Sequence, residues 1–327
     1  MKERKHMKRY GFLWKREILL SVCILALGAM AAALTDEFLQ FGNLVNILNN
    51  NAIYGILGVG MTLIMATGNI DISVGAQFAV SGICTAKLAV WLEEAGQDPL
   101  WLLVLAALGT GMVLGASNGL LVIFLRLPSV IVTLGTLSVI RGGLYLVTEG
   151  AWMTYLPRWY TSVSNISWMG IRLVTGVWFL VLVFMMVFFR FFKLGRVILA
   201  VGNNQEYAKR IGVFVPGVCF ISFILWGAVI GIAAFFFVAQ IGTIQPSAGN
   251  GYEMTLIAAV IIGGNKLNGG TFKALGTSIG ILLLGLIGNI LVLTKVPMYW
   301  QNLATGIVII SAIVVSMLAD RGNQREI

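Results

Sequence analysis

Three consecutive stretches decide how this chain folds: AIYGILGVGMTLIMAT (52–67), GNIDISVG (68–75) and AQFAVSGICTAKLAVWL (76–92). The outer two belong to apolar runs long enough to cross a bilayer, which takes about 20 residues of helix. Between them lies an eight-residue interruption, bounded by glycines and carrying Asp71. No other acidic residue occurs between Glu37 and Glu93. The runs are continuous rather than alternating, so they read as helices and not as barrel strands.

The interruption therefore joins two membrane helices. Gly68 can end the first in a left-handed conformation. Asp71 has two readings. It can cap the helix that starts near Ile72, because a carboxylate accepts from orphan N–H groups and suits the positive end of the dipole. It can instead line a pathway or bias a gate.

The rest of the chain repeats the pattern. Its 327 residues are 58% hydrophobic and 11% charged, against about 25% charged in a soluble domain. Ten spans are expected, at about 17–34, 46–67, 72–92, 100–125, 129–148, 173–192, 217–240, 253–264, 272–293 and 302–319. The eighth is short for a bilayer, so eight to ten is the range. The expected fold is an all-α polytopic bundle forming a single membrane domain over 1–327. It carries a basic tail at 1–16 and a polar region at 190–217.

The net charge of +9 follows the topology rather than a nucleic-acid groove. With the N-terminus inside, seventeen basic residues fall inside and three, Arg158, Arg172 and Lys295, fall outside. That asymmetry predicts an even number of spans with both termini cytoplasmic. The segment 148–172 is then external. Its tryptophans and tyrosines suit either headgroup depth or docking of a partner. The segment 190–217 is internal, with a short amphipathic helix expected at Gln205–Ile211 between Gly202 and Gly212.

Several chemistries are excluded. There is no phosphate-binding G-x-x-x-x-G-K-[ST] loop, no H-E-x-x-H and no C-x-x-C. One histidine, His6, leaves no Ser–His–Asp set. Cys23, Cys84 and Cys219 lie in apolar runs and read as small apolar residues, not disulfide partners. Ion-coupled transporters keep ionisable groups at membrane depth, and Asp71 is almost alone in qualifying. No enzyme is expected, and an ion-coupled secondary transporter is the weaker alternative. Dense glycines in GILGVG (55–60), LGTGMVLGASNG (108–119) and GAVIGIAA (227–234) point to close helix packing.

Four ordered motifs carry a resemblance. They are FLQFGNLVNILNNNAIYGILGVGMTLIMATGNIDISVGAQFAVSG (38–82), PSVIVTLGTLSVIRGG (128–143), LGRVILAVGNNQEYAKRIGV (194–213) and QPSAGNGYEMTLIAAVIIGGNKLNGGTFKALGTSIGILLLGLIGNILVL (245–293). In this order they resemble the membrane permeases of ribose-type ATP-binding-cassette importers, over nearly the whole chain. Asn69 and Asn203 stand where that family usually has glycine, Thr255 where aspartate is common, and Lys266 where serine is usual.

The resemblance implies a subunit of the bacterial cytoplasmic membrane that carries a sugar or sugar-like solute and binds no nucleic acid. It implies four kinds of partner: two cytoplasmic ATPase domains, a second permease subunit, identical or homologous, an extracytoplasmic solute-binding protein and the lipid bilayer. ATP and magnesium would be used by the ATPases, with no cofactor in this chain. A branched-chain amino acid permease is the related alternative. The resemblance places ATPase coupling at Gly202, Asn204, Gln205, Glu206, Tyr207, Ala208, Lys209, Arg210 and Gly212.

Two glycine-flanked breaks match in form, GNIDISVG with Gly68, Asp71, Ser73 and Gly75, and GGNKLNGG (263–270) with Gly263, Gly264, Lys266, Gly269 and Gly270. Asp71 and Lys266 hold the same fourth position. They are expected either to pair near an inner gate or, for Lys266, to reach toward headgroups. Asn118, Thr133, Thr136 and Asn289 are candidates for a solute path. Arg141 should be paired or face a polar cavity. GNGYE (249–253) is expected as an outer turn open to a binding protein.

Overall fold

The computed structural model describes residues 18, 20–297, 300, 303, 306, 307 and 310. The basic tail lies outside the described residues, as does the tenth expected span apart from four scattered positions. Seven helices are long and apolar enough to cross a membrane: α2 (Phe41–Ala66), α3 (Val74–Glu94), α4 (Leu100–Leu125), α5 (Ser129–Thr148), α7 (Leu173–Phe191), α10 (Val215–Ile241) and α12 (Ala274–Leu293). Two shorter apolar helices accompany them: α1 (Leu20–Leu34) precedes the set and α11 (Tyr252–Ile262) lies between α10 and α12. Nine of the ten expected spans thus occur as helices. The largest shift in a boundary is at α2, which starts at Phe41 rather than near 46.

Between α5 and α7 the chain forms a one-turn helix, α6 (Arg158–Thr161), a 3-10 turn (Ser162–Asn165) and a two-residue hairpin. In the hairpin β1 (Ser167–Trp168) pairs antiparallel with β2 (Ile171–Arg172), Ser167 opposite Arg172. This segment is fastened to the bundle. Asn49 of α2 donates to the Gly170 carbonyl at 2.9 Å and accepts from the Arg172 N–H at 3.0 Å. The buried Tyr160 hydroxyl donates to the Phe235 carbonyl at 2.8 Å. Trp152, Tyr155 and Trp168 remain exposed. After α7 come two further helices, α8 (Lys193–Asn203) and α9 (Gln205–Arg210).

α2 is the central helix, with 78% of its apolar window buried against 22% for α4 and 17% for α5. Its glycines explain how one helix accommodates so many neighbours. Gly55 lies under the Trp178 ring of α7, Gly58 under Ile281 of α12, and Gly60 under Trp226 of α10. Each missing Cβ is a socket for a large side chain from a different helix.

α4 and α10 meet differently, backbone against backbone. A Cβ on Gly111 or Gly227 would collide with the other's carbonyl, and one on Gly231 with the Ala107 carbonyl. Helices in lipid gain little from hydrophobic burial, so close van der Waals packing of small residues holds them together. The glycine-rich stretches 108–119 and 227–234 are the two halves of this crossing. Replacing Gly227 by Val should overpack it at a cost of about 3 kcal/mol or more, read as a fall in melting temperature in detergent. Gly109→Ala, on the facing helix α4 where a Cβ meets open space, should be silent in that measurement.

Candidate functional site

The first break follows from residue chemistry. Gly68 adopts φ +84°, and its N–H closes on the Met65 carbonyl at 2.9 Å, so α2 ends as expected. The chain then runs without helical bonds to Ser73. A bare backbone at membrane depth must find protein partners, and α5 supplies them. Ser129 Oγ accepts from the Ile70 N–H and Thr133 Oγ1 from the Ile72 N–H, both at 3.0 Å.

Asp71 departs from its expected capping role. α3 begins at Val74 and Ser73 holds the cap position, so Asp71 is not the cap. Its Oδ1 accepts from the Ser73 N–H at 2.8 Å, a local turn that aspartate forms readily. The carboxylate is fully buried. Ser73 Oγ donates to Oδ1 at 2.6 Å, while Gln77 Nε2 and Trp226 Nε1 donate to Oδ2 at 2.6 and 2.9 Å. Asn118 Nδ2 in turn donates to Ser73 Oγ at 2.8 Å. Four neutral donors hold this carboxylate. The only ion pair among the described residues joins Lys209 and Glu206.

Lys266 is exposed, so the expected pairing with Asp71 does not form. The reason lies in the second break. Asn265, not Lys266, turns inward, donating to the Val260 carbonyl and to Thr277 Oγ1, and accepting from the Lys273 N–H at 2.7 Å. That one amide ties the end of α11 to the start of α12. Asn265 was missed in the sequence because its neighbour carries the charge. Phe272 of the same break stacks on Phe189 of α7, ring centres 3.7 Å apart.

The two breaks nevertheless touch, through glycine. The Gly270 N–H donates to the Ala66 carbonyl at 2.9 Å. A Cβ on Gly269 would strike the Gly68 backbone, and one on Gly202 of α8 would strike Ala66 and Gly270. Three backbones therefore meet at one point, belonging to the first break, the second break and α8. Asn203 Nδ2 adds a contact to the Gly270 carbonyl at 3.4 Å. Immediately beyond, Asn204 caps α9 by accepting from the Tyr207 N–H at 2.9 Å, and Gly212 follows α9 at φ +84°. The expected amphipathic helix is present. Ala208 is buried, and Gln205, Glu206, Tyr207, Lys209 and Arg210 are exposed.

GNGYE (249–253) opens as a turn in which Gly249 is buried while Asn250 and Gly251 are exposed. Ile244 bridges to Met153, but from there the chain runs inward, and Gly249 packs on Gly75 in the first turn of α3. Tyr252 then meets Tyr54 and Phe78, ring centres 4.7 and 5.3 Å apart. Arg141 of α5 clasps this segment, its Nη1 donating to the Pro246 and Ala248 carbonyls, the latter at 2.9 Å. Arg141 also lines a groove of about 390 Å3 together with Ser138, Asn250 and Glu253; its hydrogen bonds go to carbonyls, not to an acidic partner.

The expected path residues each make hydrogen bonds within the bundle. Asn118 and Thr133 are fully buried in the Asp71 network and the α5 staple. Thr136 Oγ1 donates within its own helix to the Thr133 carbonyl. Asn289 exchanges two amide bonds with Asn43 of α2, at 3.2 and 2.8 Å. All three cysteines are free, with Cys23 and Cys84 on exposed faces and Cys219 buried.

A bundle of apolar helices, two of its connections broken by glycine and packed into it, with α8 resting on both breaks and a short polar helix following it, describes a transport subunit rather than an anchor. The chain belongs to the family described as branched-chain amino acid transport system / permease component, whose model matches residues 43–313. It is a multi-pass protein of the inner membrane. It is 36% identical over 303 residues to the autoinducer 2 import system permease protein LsrC of Enterobacter sp. (strain 638), covering 92% of this chain and 87% of that one. It is similarly 33% identical to the LsrC protein of Salmonella paratyphi B and 31% identical to that of Photorhabdus luminescens. These alignments cover 91% of this chain in both cases, and 85% and 89% of the relatives. No solved structure matches.

The Asp71 network predicts a clear contrast. Asp71→Asn turns an amide N–H toward donors that need an acceptor, and should cost about 3 kcal/mol. Lys266→Ala should stay within about 0.5 kcal/mol. Thermal unfolding of the two purified variants reads both.

Proposed function

We propose that the chain is the permease subunit of an ATP-binding-cassette importer that moves autoinducer 2 or a closely similar sugar-like solute inward. The observation that carries this reading is the likeness to the autoinducer 2 permeases along 92% of the chain. Two ATPase domains power the transport, a second permease completes the path, and an external binding protein delivers the solute. ATP and magnesium belong to the ATPases.

The α9 helix suits the role of ATPase contact. Its exposed Tyr207 and its Glu206–Lys209 pair form a small polar knob. Gly202, next to it, rests on both helix breaks. A push on α9 by a partner is therefore delivered to the backbone between α2 and α3 and between α11 and α12. The family description keeps a branched-chain amino acid in view as the second reading.

Membrane vesicles test the proposal. Uptake of autoinducer 2 should require the ATPase and binding-protein partners together with ATP, and excess leucine should leave it unchanged. Transport by the chain alone on an ion gradient would overturn it. Gly202→Val, which forces α8 off the breaks, should lower uptake by roughly tenfold or more while ATP hydrolysis by the complex continues.

A further inference from the structure

The groove beside Arg141 holds two charged atoms with nothing to bind. Arg141 spends Nη1 on the Pro246 and Ala248 carbonyls, and its Nη2 is buried without a partner. Glu253, in the first turn of α11, has a buried Oε2 that also lacks a partner. Both residues line the same groove, together with Ser138, Tyr145 and Asn250. They do not form an ion pair with each other.

Such an arrangement is costly against hydrocarbon, where ionisable side chains face a bundle interior or a water-filled cavity. This side of α5 is therefore not lipid-facing. The guanidinium is also held rigidly, since two carbonyls of an inward-drawn segment fix its direction.

We infer that Arg141 and Glu253 form a solute-contact site of the transport path that takes a compound with adjacent hydroxyl or carbonyl groups. The free carboxylate oxygen accepts from a hydroxyl, and the free Nη2–H donates to a neighbouring oxygen. The Ser138 hydroxyl and the Asn250 amide supply further bonds of the same kind, and the Tyr145 ring offers a face to C–H groups. The pair is neutral in sum, so it suits an uncharged polyhydroxylated solute. The site rests on the reading of the chain as a permease for sugar-like compounds.

The test uses cells without endogenous uptake that express the full chain with its ATPase and binding-protein partners. Initial uptake of autoinducer 2 and of ribose is measured against concentration, along with an analogue of each that lacks one of the adjacent hydroxyls. For the probe that the wild type carries, E253Q should lower the maximal rate roughly tenfold, the loss of one charged hydrogen bond. The half-saturating concentration, set by the binding protein, should stay in place. The deoxy analogue should move equally slowly through both proteins. R141K, which keeps a donor for the carbonyls but loses Nη2, should match E253Q.

Membrane abundance and melting temperature of E253Q should equal those of the wild type, because Oε2 has no bond to lose. A maximal rate unchanged in both variants overturns the site, as does E253Q failing to fold or leucine blocking uptake. Uptake of neither probe by the wild type overturns instead the sugar-permease reading beneath it.

Discussion

Backbone that leaves a helix inside a membrane must have every polar group met by protein, because hydrocarbon offers none. This constraint organises the bundle. The first break could not exist without Ser129 and Thr133, whose hydroxyls stand where α2 and α3 have stopped supplying acceptors. It fixes where α5 begins. It also explains Asn265, whose single side chain closes both ends of the second break. The glycines at 68, 264, 269 and 270, all at positive φ, let the chain turn where a Cβ would be strained.

The Asp71 carboxylate belongs to the same logic. Hydrogen bonds to a charged acceptor are worth about 1.5–3 kcal/mol each, so four donors offset much of the cost of burying it without a cation. They come from three positions, Ser73, Gln77 and Trp226, and the last is on α10, 155 residues away. The network therefore locks the start of α3 to the middle of α10. Trp226 is the shared element, since its ring also fills the socket at Gly60 of α2. The permease reading draws on this rigidity, because a gate needs something fixed to move against.

Much of this was legible in the sequence. The positions of nine helices among the described residues follow from long apolar runs, which leave little freedom in a bilayer. The left-handed Gly68, the short helix at 205–210 and the polar surroundings of Arg141 follow from local residue chemistry. Other features needed the fold. The partners of Asp71 are neutral groups, and neutral donors leave no charge pattern to match against an acid, so Lys266 looked the better partner. The inward course of 245–250 was hidden because glycine and proline mark a surface loop as readily as a close backbone approach. Gly75 and Gly249 had to be seen together. The polar residues Asn118, Thr133 and Asn289 were visible, but an amide that fastens helices and one that greets a solute look alike in one dimension.

The α4–α10 crossing has a consequence for how this protein can change. At Gly111, Gly227 and Gly231 even a methyl group meets a carbonyl of the facing helix. Where a glycine faces a side chain, as at Gly55 and Gly60, a substitution meets a neighbour with rotamers to adjust. At the crossing both sides are main chain, so there is no small step and no side chain to yield. Descendants of this chain would have to keep these glycines or reset the distance between the two helices in one move, which makes the crossing a fixed point around which the rest of the bundle can drift.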